Sequence, residues 1–183
     1  MGLIVRPSTE ADAEALASIY GHHVEYGFGT FEETPPSPAE MAGRRRAVVE
    51  RGLPYLVAEV GGRVAGFAYA APFRPRAAYR YTVEDSVYVA PDAMGRGVGK
   101  AVLAEVLAAC ERLGLRQVMA VIGGSDNAGS IGVHRSLGFD HVGVGVGLGF
   151  KHGRWIDVVW MQKSINGGAA GVPAAAGLDL GGG

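Results

Sequence analysis

The 183-residue chain has one cysteine, Cys110, so no disulfide can form within it, and none of the repeated Cys/His spacings of a metal site occurs. It also lacks an excess of charge. Lys and Arg number 17 against 18 Asp and Glu, which leaves no overall positive field to draw the chain onto nucleic acid or an anionic membrane. No apolar run approaches the roughly 20 residues of a membrane span, and the opening Met1-Gly2-Leu3-Ile4-Val5-Arg6-Pro7 is too short an apolar run for a signal peptide. Repeats of solenoid length are missing too. The expectation is a soluble cytoplasmic protein with a small-molecule partner, no nucleic acid, no membrane and no metal.

What is abundant is glycine, at 30 residues, and its placement matters more than its total. From Gly167 to Gly183 the chain is Gly, Ala, Pro and little else, with few side chains to offset the entropy of ordering. That predicts a disordered tail, 167–183, behind a domain spanning 1–166. The rest, in a chain that is 48% hydrophobic, can bury a full core.

Periodicity predicts an α/β fold with the order βααββ, then βαβαββ. Leu3–Arg6 reads as a strand; Thr9 and Asp12 form a capping-box pattern before a helix to about Val24; Ser37-Pro38 opens a second helix closed by Gly52. Gly61-Gly62 supplies the positive φ angles of a tight hairpin between strands 55–60 and 63–69. Tyr81–Val89 is the next strand, and Pro91 ends it before the glycine-rich turn Met94-Gly95-Arg96-Gly97-Val98-Gly99. In the helix that follows, Val102, Leu103, Val106, Leu107, Cys110 and Leu113 share one arc, with Lys100, Glu105, Glu111 and Arg112 opposite. A strand at 117–122, a helix at 127–137 and strands at 140–146 and 154–162, joined by a turn-rich 149–153, complete the reading.

A strand, a glycine turn and a helix in succession gather backbone N–H groups and the positive end of a helix dipole at one point, which suits phosphate oxygens. Alone, such a turn serves packing as readily as anion binding. It is no Walker loop, since no Gly-Lys-Ser/Thr closes it, and the dinucleotide fingerprint with its acidic ribose partner is also missing. Glu84-Asp85 is the second anomaly: two carboxylates in the middle of an apolar strand, sent to opposite faces by alternation. Each reads as a solvated strand carboxylate, an ion-pair member or a site residue.

Val87-Tyr-Val-Ala-Pro-Asp-Ala-Met-Gly-Arg-Gly-Val-Gly99 resembles the acetyl-CoA signature of the GCN5-related N-acetyltransferase (GNAT) superfamily, and Asn127-Ala-Gly-Ser-Ile-Gly-Val-His-Arg-Ser-Leu-Gly-Phe139 resembles the second half of its pattern. The resemblance covers roughly Leu3 to Lys163. Tyr69-Ala-Ala-Pro-Phe-Arg, Tyr79 to Pro91, Ala120-Val-Ile-Gly and Gly149-Phe-Lys-His-Gly-Arg-Trp155 are similar to the phosphinothricin and methionine sulfoximine acetyltransferase subgroup. It implies a mixed sheet, splayed between its fourth and fifth strands and flanked by helices, with acetyl-CoA in the cleft. The implied activity is direct acetyl transfer, in a ternary complex, to the amine of a small amino acid analogue by a homodimer whose C-terminal strands lie near the contact.

By that resemblance Val87, Tyr88, Val89, Met94, Gly95, Arg96, Gly97, Val98, Gly99 and Lys100 bind the cofactor, the backbone near Val89 supplies the oxyanion contact, and Asn127 and Ser130 touch its pantetheine or adenosine side. Met94 departs from the usual Gln or Arg. Glu84 takes the role of general base, with Asp85 structural, and His134 stands where other members carry a thiolate-protonating tyrosine. Acceptor residues are Thr30, Phe31, Tyr69, Tyr79 and a carboxylate-binding Arg76 or Arg74, a task suited to a guanidinium. The alternatives are acetylation of a protein or peptide N-terminus and a non-catalytic acyl-CoA-binding module.

Overall fold

The computed structural model describes residues 2–180, so Gly181–Gly183 of the tail lie outside the described residues. The elements are β1 (Leu3–Pro7), α1 (Ala13–Tyr26), α2 (Pro38–Glu50), β2 (Tyr55–Val60), β3 (Arg63–Pro72), β4 (Thr82–Val89), α3 (Val98–Arg112), β5 (Gln117–Gly123), α4 (Ala128–Ser136), β6 (Asp140–Lys151) and β7 (Arg154–Ser164). The expected order is borne out.

Local chemistry sets many of the boundaries. The Thr9 N–H donates to Asp12 at 2.6 Å ahead of α1. Ser37 and Glu40 form a reciprocal capping box at the start of α2, with the Glu40 N–H donating to Ser37 Oγ at 3.2 Å and the Ser37 N–H to Glu40 Oε2 at 2.7 Å. Gly61 and Gly62 take φ of 62° and 78° in the β2–β3 turn. Arg6 of β1 reaches both Asp12, at 2.8 and 2.9 Å, and Glu59 of β2, at 2.6 and 2.9 Å. That guanidinium holds the buried Asp12 carboxyl below its ordinary range, so its stabilisation is present above the unfolded carboxylate pKa and lost as pH falls through the folded one.

The seven strands form one mixed sheet in the order β1-β2-β3-β4-β5-β7-β6. Only β4 and β5 run parallel, and their pairing covers Thr82–Asp85 against Gln117–Ala120 and stops. Beyond it Ser86–Val89 stays paired with β3 while β5 stays with β7, which opens the splay. α1 and α2 pack on the sheet face carrying Phe67 and Tyr88. α3 buries Val98, Val102, Leu103, Val106, Leu107 and Cys110 on the β-sheet. Each such side chain contributes about 1.5–3 kcal/mol by its burial.

Several boundaries differ from the sequence reading. Leu113 is the C-cap of α3, past the helical arc, and is 42% exposed. α1 extends to Tyr26, two residues past the expected end near Val24. β3 runs on to Pro72. β6 continues through Lys151, and only His152-Gly153 forms the turn to β7. The glycines of β6 alternate with apolar residues and a register shift lies between Gly145 and Gly149, which makes a strand look like a loop.

The tail expected to be disordered has no helix or strand through Leu180, but it is held by backbone carbonyls, which need no side chain of their own. Arg116 donates to Gly168 O at 2.7 Å and Ala170 O at 3.0 Å, and the Tyr81 hydroxyl donates to Ala175 O at 2.8 Å. Leu178 adds an apolar contact to the core.

Candidate active site

The splay makes a cleft of about 810 Å³ between β4 and β5. One wall is the glycine turn. Gly95 and Gly97 have φ of 72° and 80°, a left-handed backbone that side chains rarely adopt. Gly99 serves space instead, since a Cβ there would press on Val89 Cγ2 at 3.2 Å. Gly97 is the N-cap of α3 and no side chain caps it, so the first N–H groups of a 15-residue helix face the cleft beside the turn. Met94, Gly95, Gly97, Val98, Gly99 and Lys100 line this end, whereas Arg96 does not. The turn therefore fits a pyrophosphate through its backbone, independently of the side chain at Met94.

Strand alternation brings the edge of β4 into the gap. The Ala90 N–H bonds Ala65 O on the β3 side at 2.8 Å, which turns the polar groups of Val89 and Val87 the other way. Val89 O accepts from His23 Nε2 at 2.9 Å across the gap. Burial, first, holds the His23 ring below its ordinary pKa, so it serves as a neutral donor.

The other wall is α4. Asn127 both lines the cleft and caps this helix, accepting from the Ser130 N–H at 3.1 Å. One turn on, His134 is 2% exposed, with Nε2 2.9 Å from Asp85 Oδ2 and Nδ1 2.7 Å from Ser130 O. Both partners are acceptors. The ring satisfies them only with two N–H groups, or with the proton of the pair carried by Asp85. Burial opposes the charged ring, but the Asp85 bond and charge and the Ser130 carbonyl outweigh it and raise its pKa. Asp85 Oδ1 has no hydrogen-bond partner. Asp85, expected to be structural, is thus the partner of a candidate catalytic residue. Nothing in a spacing of 49 residues signals that contact.

Glu84 points to the opposite face of β4. It is half-buried, and burial raises its carboxyl above the ordinary glutamate pKa; Asp85 adds to the rise and Arg74 opposes it. Around that face, Tyr20 Oη lies 2.8 Å from both Thr30 Oγ1 and Glu32 Oε1, and its ring meets Tyr88 edge-on at 4.8 Å. Arg44 binds Glu32 in a bidentate pair at 2.6 and 3.0 Å. Tyr69 stacks on Tyr55 at 4.8 Å, and the Tyr55 hydroxyl is buried without a partner. Tyr20, Glu32, Arg44 and Tyr55 were not singled out from sequence; the polar atoms of a tyrosine in a helix or strand carry no periodic signal.

The remaining acceptor candidates spread outward. Phe31 lies over the backbone of Gly123 and Gly149. Arg74 sits on the Phe73 ring at 4.2 Å and Tyr79 meets that ring at 5.7 Å, while Arg76 is exposed before a one-turn 3-10 helix at Ala77–Tyr79. Of this set, Arg74 alone bears electrostatically on Glu84.

The profile of the acetyltransferase (GNAT) family matches residues 16–139. The chain belongs to that family. A phosphinothricin N-acetyltransferase of Alcaligenes faecalis is 49% identical over 169 residues, covering 92% of this chain and 86% of the relative. An L-methionine sulfoximine/L-methionine sulfone acetyltransferase of Pseudomonas paraeruginosa is 36% identical, covering 91% and 96%. Among solved structures, a GNAT superfamily phosphinothricin acetyltransferase from Sinorhizobium meliloti in complex with acetyl-CoA superposes with a TM-score of 0.91 at 47% identity, covering 95% of this chain and 94% of that one. The resemblance drawn from the two motifs is borne out, and the GNAT chain carries its glycine turn and its α4 on opposite walls of the cleft.

Proposed function

We propose that the chain is an acetyl-CoA-dependent N-acetyltransferase that acetylates the amino group of a small amino acid analogue of the phosphinothricin or methionine sulfoximine type. The observation that carries this reading is the pair of adjacent carboxylates on β4 at the start of the splay. Glu84 faces the tyrosine-lined side with a raised pKa, and Asp85 faces the cleft with His134. Two titratable groups on opposite faces of one strand suit the removal of one proton and the supply of another. The acceptor class follows the phosphinothricin and methionine sulfoximine acetyltransferases, relatives at 36–49% identity.

Acetyl-CoA, when bound, supplies an acetyl group activated as a thioester. The N–H groups of Gly95 to Gly99 and the start of α3 hold its pyrophosphate, and Asn127 and Ser130 border the arm. Val89, with its polar groups turned into the gap, places an N–H for a developing oxyanion. Glu84 accepts the amine proton, directly or through one water. His134 holds a proton at Nδ1 beside Ser130, on the wall where a departing thiolate needs one. Thr30, Phe31, Tyr69 and Tyr79 border the acceptor, and Arg74, the electrostatic partner of Glu84, or Arg76 takes its carboxylate. Cys110 takes no part: burial, with Asp85 and Glu111 adding, pushes its thiol up to about 12.

Calorimetric titration with acetyl-CoA tests the cofactor half. Saturable binding, weakened by about tenfold when Gly97 is replaced by valine, is expected, because a β-branched residue is strained at φ of 80°. Absence of heat with folded protein contradicts it.

The protein is further proposed to be a cytoplasmic homodimer, expected in the soluble fraction of lysed cells and at twice the chain mass by light scattering. β6 is a sheet edge, and Val142, Val146, Leu148 and Phe150 on it are 55%, 81%, 57% and 58% exposed, a stripe suited to a second copy. A monomeric mass at working concentration sinks the dimer. Among the described residues no helix is long and apolar enough to cross a membrane.

A further inference from the structure

The segment Gly149-Phe-Lys-His-Gly-Arg-Trp155 has no part in the chemistry above, yet its lysine is among the most buried side chains. Lys151 is 1% exposed. Its Nζ donates to Gly27 O at 3.0 Å and Thr30 O at 2.9 Å. These carbonyls bracket Phe28-Gly29, and Gly27 is the C-cap of α1, where orphan carbonyls and the negative end of the helix dipole suit a cation. A buried ammonium with neutral partners is disfavoured: burial pulls its pKa down, and Glu33 and Glu32 counteract this from a distance. A side chain placed at such a disadvantage calls for a reason.

The same short loop is held by further contacts. The Arg154 guanidinium lies over the Phe28 ring at 3.9 Å, and His152 meets it edge-on at 5.7 Å. A Cβ on Gly123 would run into Phe28 O, so that position admits only glycine, and one on Gly149 would press on the Phe31 ring. Gly27, Phe28 and Gly29 line the cleft, while the Thr30 hydroxyl meets Tyr20 at 2.8 Å on the acceptor face. The loop has no strand to pair with. Its carbonyls at 27 and 30 are satisfied by the ammonium arriving from the end of β6.

We propose that Lys151 is a positioning residue for the acceptor: its ammonium fixes residues 27–30 to the C-terminal hairpin as one wall of the acceptor site, so that it sets the KM for the acceptor and not the chemical step. This rests on the reading of Thr30 and Phe31 as acceptor wall. The neutral Lys151→Met tests it, with Lys151→Cys as the means of restoring charge. In a Cys110→Ala background the cysteine is alkylated unfolded with 2-bromoethylamine, its sulfur displacing bromide to regain an ammonium at nearly the same reach, and the chain is refolded.

For folded K151M we expect amide exchange of Gly27 and Glu32, whose N–H groups donate to His23 O and Thr30 Oγ1, to rise by about tenfold or more, with the acceptor KM rising similarly while kcat and the Kd for acetyl-CoA stay within about threefold. The aminoethylated chain should recover both loop protection and KM. Unchanged exchange in K151M overturns the anchor. A loosened loop with an unaltered acceptor KM overturns the positioning role and, with it, the assignment of Thr30 and Phe31, leaving Glu84 untouched. Failure of aminoethylation to restore a refolded chain shows that the charge is not what acts, and overturns the proposal as well.

Discussion

Glu84→Gln is expected to lower kcat by about 100-fold or more while leaving the Kd for acetyl-CoA within about threefold of wild type. The amide keeps the shape and loses the ability to take a proton. Because burial raises the Glu84 carboxyl, the acid limb of kcat/KM should have its midpoint above the ordinary glutamate value. Arg74→Ala should move it higher still, since Arg74 opposes the rise. The stability sign runs opposite to the activity sign. A carboxyl whose folded pKa is raised destabilises the fold as pH climbs past its unfolded pKa, so the neutral glutamine should keep or raise Tm at pH 7. A variant that loses turnover and Tm together points instead to a structural role.

Asp85→Asn has the second large effect, and it falls on both stability and chemistry. Removing one partner of a buried charged pair costs about 3–5 kcal/mol, because the other is left uncompensated. The His134 ring, raised now chiefly by Asp85 against the pull of burial, should fall once burial is opposed by the Ser130 carbonyl alone. In the native protein the stability linked to this ring is present below the unfolded histidine pKa and lost as pH rises through the higher folded one. Nitrogen-15 spectra of the unliganded protein should show His134 keeping both nitrogens protonated to a higher pH than an ordinary histidine, and losing the second proton at a lower pH in D85N than in the native protein. Turnover of folded D85N should fall by about 10-fold or more, with the alkaline limb of the profile shifted to lower pH. A native His134 that titrates at or below the ordinary histidine pKa removes it as the proton reservoir.

How much of this could be seen in the sequence depends on the range of the interaction. Gly61-Gly62, Ser37-Pro38 and most of the apolar arc of α3 act within a few residues, and all were legible. The glycine turn was legible too, although only the structure separates Gly95 and Gly97, needed for their φ, from Gly99, needed for space. β6 misled because of its glycines: Gly145 and Gly149 leave room for the Trp160 and Phe31 rings, and Gly147 takes a φ of 60°. Glu84 stood out as a carboxylate in an apolar strand. Its neighbour Asp85 carried the same signal, but its meaning came from His134, brought to it by the crossover through α3, β5 and α4. Lys151 was hidden for a related reason: a lysine reads as solvated, and its two carbonyl partners lie 121 and 124 residues away.

The most direct test of the account is acceptor-dependent release of CoA thiol by the purified chain, across a panel of amino acids that includes phosphinothricin, methionine sulfoximine and peptides with free N-termini. Thiol release that requires a small amino acid analogue, saturates with it and falls by about 100-fold or more in E84Q is the predicted result. Binding of acetyl-CoA with no acceptor-dependent release, or release with peptide N-termini alone, would contradict it.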